Sequence, residues 1–105
     1  VGMVSNRSKS LEAEMDNLGF IPYFDFWITA AEVDSWKPVP GIFEHALFLS
    51  EGNPETTAHI GDNYYTDVVG AQQVGIYPIL YDPRNVFPDA DCQVIRQIGS
   101  LCSQI

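Results

Sequence analysis

Short runs of apolar residues alternate along the chain with longer segments in which apolar side chains recur at helical spacing. A short apolar run bounded by turn residues is typical of a β-strand, whereas apolar positions three or four residues apart are typical of a helix that buries one face. The predicted strands are VGMV at 1–4, FDFWIT at 24–29, TAHI at 57–60, YPILY at 77–81 and, as a short edge strand, CQVI at 92–95. The predicted helices are 8–18, 40–51, 66–74 and 98–105.

Strands that alternate with helices at this spacing predict βαβ units, and hence an α/β fold in which a parallel sheet carries helices on both faces. Neither an internal repeat nor a long linker divides the chain, so residues 1–105 are expected to form a single domain. In sheets of this kind, ligands bind beyond the carboxyl ends of the strands. The chemistry is therefore expected where the predicted strands end.

Composition narrows the classes of partner. Five Lys and Arg against fourteen Asp and Glu give a net charge of −9, which would repel a nucleic-acid backbone or an anionic membrane surface, so neither is expected as a partner. No apolar run approaches the roughly 20 residues that a membrane-spanning helix needs, and no signal-peptide pattern follows Val1. Cys92 and Cys102 lack metal-binding spacing, so reduced thiols in the core of a cytoplasmic protein are expected.

Polar residues with binding potential follow the first two predicted strands. Ser5 and Asn6 come directly after VGMV, where a hydroxyl and exposed loop amides can bind one anionic oxygen, although ordinary turn chemistry is the alternative. Lys37 precedes the helix predicted to begin at Pro40, where the positive end of the helix dipole disfavours an ammonium group unless an anion or carboxylate lies nearby. An exposed loop lysine is the alternative interpretation.

The segment HIGDNYYTD at 59–67 carries the most specific pattern. Gly61 permits an unusual backbone angle or a close approach, Asp62 follows the strand TAHI, and Asp67 falls in the first turn of the next predicted helix. Two hard oxygen donors in one short loop suit Mg²⁺, which takes one or two carboxylates, retains water and shares the oxygens of a substrate phosphate. The alternative is structural, with Asp67 capping the helix and Asp62 forming a local turn. His59 has no partner at catalytic spacing, so a packing or surface role is expected for it.

Four segments in chain order resemble the haloacid dehalogenase (HAD) superfamily, in its phosphatase-like branch. They are VSN at 4–6, KPVPGIFEHAL at 37–47, HIGDNYYTDVVGAQQVGI at 59–76 and PILYDP at 78–83. Three of that family's four motifs are present: a hydrophobic strand ending in Ser5, the lysine at Lys37, and the acidic loop with Asp62 and Asp67. The ordered set is more specific than any one of these motifs.

The resemblance implies a Rossmann-like three-layer α/β sandwich with a parallel sheet. It also implies two-step phosphoryl transfer through an aspartyl-phosphate, with Mg²⁺ as cofactor and a small phosphorylated metabolite as substrate. In that scheme Ser5 binds a phosphoryl oxygen with help from the Asn6 loop. Lys37 pairs with the phosphoryl group and the nucleophile.

The same resemblance assigns the metal-binding residues. Asp62 would ligate Mg²⁺ directly, while Asp67 would hold a water on the metal or orient Lys37. Asn63 would assist them.

The sequence departs from the family pattern in its first motif. That motif, an apolar strand ending in Asp-x-Asp, supplies the nucleophile and the general acid/base, and no such motif precedes Ser5 in the 105 residues. DAD at 89–91 follows no apolar strand and is not accepted as a substitute. The cap that selects the substrate in family members is also missing. By the family's strand order, the missing strand lies between VGMV and TAHI. We expect its place to be filled by a preceding segment, by a second copy, or by direct pairing of these two strands.

Two functional hypotheses follow, with a third as the structural alternative. The favoured one is the C-terminal part of a HAD-type phosphohydrolase, inactive alone because the nucleophilic carboxylate is missing. The second is a non-catalytic module that binds a metal or phosphate or serves as a scaffold. The third is a structural domain whose acidic residues are caps, which predicts no metal dependence of its melting temperature.

Overall fold

A computed structural model describes residues 1–103 of the chain. The chain divides into two compact units, of which the first covers Val1–Asn53 and the second begins at Pro54. Both units combine parallel strands with helices, so the predicted α/β class is confirmed. No helix of residues 1–103 has the length and apolar character needed to cross a membrane.

The first unit contains a pair of parallel strands, three α-helices and a short 3₁₀ helix (Ile21–Tyr23). In chain order the strands and α-helices are β1 (Gly2–Ser5), α1 (Glu12–Asn17), β2 (Phe26–Thr29), α2 (Ala30–Val33) and α3 (Pro40–Ser50). The strand register runs from Gly2 opposite Phe26 to Ser5 opposite Thr29. A Cβ atom on Gly2 would lie 2.1 Å from the Phe26 ring, so the glycine allows this ring to pack directly on the β1 backbone. The buried apolar residues of the unit are Leu11, Met15, Ile28, Ala30, Ile42 and Phe43.

Helix α1 is shorter than the predicted 8–18 segment, because it begins only at Glu12. The preceding stretch is held elsewhere, since the carbonyl oxygen of Arg7 accepts the backbone N–H of Ala31. At the other end Gly19 has φ 72, the left-handed conformation that favours glycine just after a helix. Helix α3 begins at Pro40 as predicted and ends at Ser50, one residue before the predicted end.

The second unit contains a three-stranded parallel sheet in the order β3-β4-β5. Its elements are β3 (Ala58–Gly61), a π-helical turn (Tyr64–Val68), α4 (Val69–Gln73), β4 (Tyr77–Tyr81), β5 (Gln93–Ile95) and a 3₁₀ helix (Ile98–Ser103). Its buried apolar residues are Val68, Ala71, Ile76, Ile79, Leu80 and Ile95. The apolar run YPILY is central to the sheet because strands lie on both sides of it.

Two predicted helices of this unit differ from the observed ones. The helix predicted at 66–74 begins earlier, at Tyr64, and its first turn is π-helical. The helix predicted at 98–105 is a 3₁₀ helix over residues 98–103, and residues 104 and 105 lie outside the described part of the chain.

The strands that would flank the missing family strand belong to different sheets, since β1 pairs with β2 and β3 pairs with β4. Cys92 and Cys102 are free thiols, but their predicted core positions are wrong, because Cys92 is half-buried and Cys102 is exposed.

Candidate functional site

The first group of candidate residues lies at the carboxyl end of β1. The side-chain amide of Asn6 makes two hydrogen bonds to the peptide groups of Lys37. Its Oδ1 accepts the Lys37 backbone N–H at 2.7 Å and its Nδ2 donates to the Lys37 carbonyl oxygen at 3.0 Å. The Lys37–Pro38 peptide bond is cis. The structure thus brings Lys37 next to Ser5 and Asn6, although Lys37 lies 31 residues after Asn6 in the sequence.

The side chain of Lys37 returns to the same strand. Its Nζ donates to the carbonyl oxygen of Val4 at 3.2 Å, and the residue is half-buried. The neighbouring Ser5 is also half-buried, and its hydroxyl has no hydrogen-bond partner within residues 1–103. A hydroxyl donor and an ammonium group at one strand end are the groups that recognise an anionic oxygen.

The second group is the acidic loop that follows β3. The Asp67 carboxylate is buried, and its two oxygens are held separately. Oδ1 lies 2.9 Å from Nε2 of His59, and Oδ2 accepts the backbone N–H of Asn63 at 3.2 Å. A Cβ atom on Gly61 would lie 2.1 Å from the Asp67 carboxyl carbon, so the carboxylate occupies the space that the glycine leaves open. Asp67 is thereby fixed against the end of β3.

Asp67 does not occupy the N-cap position considered as its structural alternative, and the Asp62 side chain makes no hydrogen bond of a local turn within residues 1–103. The cap of the π-helical turn is Asn63, whose Oδ1 accepts the backbone N–H groups of Tyr65 and Thr66 at 3.0 and 3.1 Å. The Asp62 carboxylate is exposed, and in the described part of the chain it has no hydrogen-bond or ion-pair partner. The loop therefore pairs one immobilised, buried carboxylate with one available to a ligand.

His59 is the residue whose role the sequence interpretation missed. It was assigned a packing or surface role for want of a partner, but Asp67, eight residues later, is that partner. A signal was present in the alternation of β3, in which His59 and Gly61 are half-buried while Ala58 and Ile60 are exposed. Residues two apart on a strand share a face, so a histidine two positions before a glycine borders the space that the glycine leaves open.

A second loop of this unit is organised by the buried Asp82. Its oxygens accept the backbone N–H groups of Val86 and Phe87 at 2.8 and 2.9 Å, and Arg96 forms an ion pair with it at 3.7 Å. Burial by itself would raise the pKa of Asp82, but the N–H groups of Phe87 and Val86, followed by the charge of Arg96, lower it overall. The loop positions Phe87 against Tyr64, with ring centroids 6.1 Å apart.

A hydrogen bond to a loop residue also holds Tyr64. Its hydroxyl donates to Oδ1 of Asp91 at 2.5 Å, and this hydrogen bond is the main reason that its pKa is raised. Tyr64, Tyr65 and Phe87 form a cluster with ring centroids 5.6 to 6.2 Å apart. Two of these rings belong to the acidic loop itself, because Tyr64 and Tyr65 lie between Asp62 and Asp67 in the sequence.

The donor set of the acidic loop fits Mg²⁺ in part. Within residues 1–103, no group of three or more His, Cys, Asp or Glu side chains is arranged to hold a metal ion. Mg²⁺ does not need such a cage, because it usually keeps several waters and takes one or two carboxylates together with substrate phosphate oxygens. The loop offers two carboxylates for such a role, the exposed one of Asp62 and the buried one of Asp67.

Comparison with known proteins gives consistent similarities. Residues 1–75 match the family model described as haloacid dehalogenase-like hydrolase. The human haloacid dehalogenase-like hydrolase domain-containing protein 3 is 40% identical over 97 residues, which cover 91% of this chain and 37% of that protein.

Two solved structures show the same similarity in three dimensions. A HAD phosphatase from Thermococcus onnurineus aligns with a TM-score of 0.89 and 28% identity, over 98% of this chain and 48% of that one. A 2-haloacid dehalogenase from Pseudomonas syringae pv. Tomato aligns with a TM-score of 0.85 and 30% identity, over 97% of this chain and 44% of that one. The chain thus spans about a third of the length of the curated relative and about half of the length of these structures.

Proposed function

Because the chain belongs to the haloacid dehalogenase-like hydrolase family, we propose that it is the C-terminal part of a Mg²⁺-dependent phosphohydrolase acting on a small phosphorylated metabolite. One observation carries the proposal: Asp62 is exposed and has no partner among residues 1–103, whereas Asp67 is buried and held by His59 and Asn63. The N-cap of the π-helical turn is Asn63, and the exposed Asp62 carboxylate makes no hydrogen bond to the backbone among residues 1–103.

The phosphate-binding part of the proposal rests on the end of β1. The Ser5 hydroxyl would donate to one phosphoryl oxygen, and the Lys37 ammonium would neutralise negative charge on the phosphoryl group. The Asn6 loop would contribute to the same site. The half-buried environment of Ser5 and Lys37 supports this assignment, because hydrogen bonds to an anion are stronger away from bulk water.

The metal-binding part rests on the acidic loop. Asp62 would ligate Mg²⁺ directly, Asp67 would orient the site from its fixed position, and Asn63 would assist from the cap of the π-helical turn. When bound, Mg²⁺ would neutralise charge on the phosphoryl oxygens. The similarity to the HAD phosphatase from Thermococcus onnurineus supports phosphate ester hydrolysis as the reaction class.

The reaction proposed for the whole protein has two displacements at phosphorus. A carboxylate supplied from outside these 105 residues forms a bond to phosphorus while the bond to the ester oxygen breaks, and the alcohol leaves with a proton from a general acid. Water then attacks the aspartyl-phosphate, the carboxylate is released, and phosphate is formed. A preceding segment or a second copy would complete the sheet and supply the carboxylate. A cytoplasmic location, supported by two free thiols, belongs to the same proposal.

A second candidate is a non-catalytic module that binds a metal or phosphate or acts as a scaffold. It is favoured by one observation: the 105 residues contain no Asp-x-Asp motif that follows an apolar strand. This candidate shares the binding residues of the first and differs from it only in turnover once the sheet is completed.

A Mg²⁺ titration of the melting temperature tests the binding step that both candidates share. Mg²⁺ should stabilise the protein by about 1.4 kcal/mol at ten times its Kd, and Asp62→Asn should remove this gain. Asp16→Asn makes the same charge change at an exposed position of α1 and should leave the gain intact. An equal gain in the Asp62→Asn protein, or none in the wild type at any concentration, would contradict the proposal and favour a purely structural domain.

A further inference from the structure

The contact between Asn6 and Lys37 is more specific than a loop contact needs to be. A planar side-chain amide donates to one peptide carbonyl and accepts one peptide N–H of the same residue, 31 positions away in the chain. Two hydrogen bonds from one rigid group fix both the position and the orientation of the Lys37 backbone. Both residues are half-buried, so water competes less for these groups than it would on an open surface.

The other end of Lys37 is held by the same strand. Its Nζ donates to the carbonyl oxygen of Val4, two residues before Asn6. The backbone and the ammonium group of Lys37 are therefore both attached to the last residues of β1. A lysine side chain normally loses considerable rotamer entropy when it binds a ligand. This attachment restricts the Lys37 rotamers before any ligand binds, so less entropy is lost on binding.

We propose that Asn6 is a positioning residue, whose amide holds the Lys37 backbone and so keeps the Lys37 ammonium at the carboxyl end of β1. With respect to phosphate, this inference rests on the proposed function. It assigns Asn6 an action through Lys37, where the resemblance implied a contribution of its loop to phosphate binding. The two roles differ in what happens when Lys37 is removed.

The positioning itself can be tested without any ligand. Lys9 and Lys37 are the only lysines of the sequence, and Lys9 is exposed, so it serves as an internal reference. The folded protein is treated briefly with an amine-acylating reagent, and the acylation of the two lysines is compared by peptide mass spectrometry. In the wild type, Lys37 should react more slowly than Lys9.

Asn6→Ala should raise the ratio of Lys37 to Lys9 acylation, by roughly fivefold if the two lost hydrogen bonds have ordinary strength. Asn6→Asp keeps the acceptor for the Lys37 N–H but loses the donor, so it should give an intermediate ratio, and it serves if the alanine variant does not fold. Asn17→Ala, at an exposed asparagine with no hydrogen bond in the described residues, is the matched control and should leave the ratio unchanged. A wild-type ratio in a folded Asn6 variant would overturn the inference.

A double-mutant cycle with inorganic phosphate as the probe tests the link to the site. The Kd for phosphate is measured by NMR titration for the wild type, Asn6→Ala, Lys37→Met and the double variant. If Asn6 acts through Lys37, the alanine substitution weakens binding by roughly fivefold when Lys37 is present and has no further effect when Lys37 is absent. An equal loss in both backgrounds would mean direct contact with phosphate and would overturn the positioning role. If the wild type does not bind phosphate, the phosphate-binding part of the proposed function is wrong. The acylation ratio alone then decides whether Asn6 positions Lys37.

Discussion

The Nε2 atom of His59 lies 2.9 Å from Oδ1 of Asp67, and the two side chains are only 14% and 5% exposed. The contact joins one imidazole nitrogen to one carboxylate oxygen within hydrogen-bond distance. The pair joins β3 to the first turn of the following helix and fixes the buried acid of the loop. Its strength determines how well the acidic loop is organised.

Removing the imidazole should destabilise the protein, because it removes the hydrogen bond between His59 and a buried carboxylate. His59→Ala is expected to lower the free energy of unfolding by about 1.5–3 kcal/mol, the range for hydrogen bonds to charged groups. Chemical denaturation followed by circular dichroism measures this change. His45→Ala, at an exposed position of α3, is the control and should change stability little. A similar effect of the two substitutions would show that the His59 pair adds nothing beyond ordinary helix or strand contacts.

Gly61 should not tolerate a side chain, because a Cβ atom would lie 2.1 Å from the Asp67 carboxyl carbon and 2.2 Å from its Oδ2. Gly61→Ala must push the carboxylate away from β3, with an expected cost of about 1–3 kcal/mol in unfolding free energy. Urea denaturation of the variant measures the cost. Gly99→Ala adds the same methyl group where no atom lies within 4 Å, and it should be nearly neutral. If Gly61→Ala were as stable as the control, the observed packing of Asp67 would be wrong.

Asp82 should make the stability of the second unit depend on acid. Its pKa is lowered in the folded protein, so its contribution is present above the unfolded value of about 4 and is lost as the pH falls through the folded value. The stability difference between the wild type and Asp82→Asn should therefore be largest near neutral pH and should shrink below about pH 4.

Thermal unfolding of both proteins between about pH 7 and pH 3 measures this difference. Asp89→Asn, at an exposed loop position, is the charge-matched control. A difference between wild type and Asp82→Asn that stays constant over this range would mean that the Asp82 charge does not stabilise the loop.

The 105-residue chain alone should not turn over a phosphomonoester, because it contains no Asp-x-Asp motif before Ser5 to supply the covalent nucleophile. An assay with an aryl phosphate and Mg²⁺ checks this, with Asp62→Asn as the variant that separates site-dependent turnover from contamination. Turnover by the wild type that Asp62→Asn abolishes would contradict the prediction and require another nucleophile in the chain.

The sequence predicted the strands of both units because each depends on a local pattern. VGMV, FDFWIT, TAHI and YPILY are short runs rich in apolar residues, and each overlaps an observed strand. The helices were less well bounded. Helix α1 begins at Glu12 and not at residue 8. The carbonyl oxygen of Arg7, before the helix, accepts the backbone N–H of Ala31. At 66–74 the observed turn begins at Tyr64, because Asn63 supplies the cap.

The candidate site was predictable to the extent that its residues form motifs. Ser5, Lys37, Asp62 and Asp67 were identified by order and spacing, and the family they indicated is the one to which the chain belongs. Their roles in binding phosphate and metal stay predictions. His59 was misjudged because its partner is defined by a shared face of β3 and the open space at Gly61, which spacing alone does not reveal.

By itself, the sequence determined the α/β class, the parallel strands and the acidic loop, since periodicity and turn residues act over a few neighbouring positions. Only the tertiary structure decided that Asn6 holds Lys37, that His59 holds Asp67, and that Asp62 is left accessible. Side-chain amides, imidazoles and carboxylates can each bond to many partners. Which partner each one meets depends on where the chain folds back, and no local pattern specifies that.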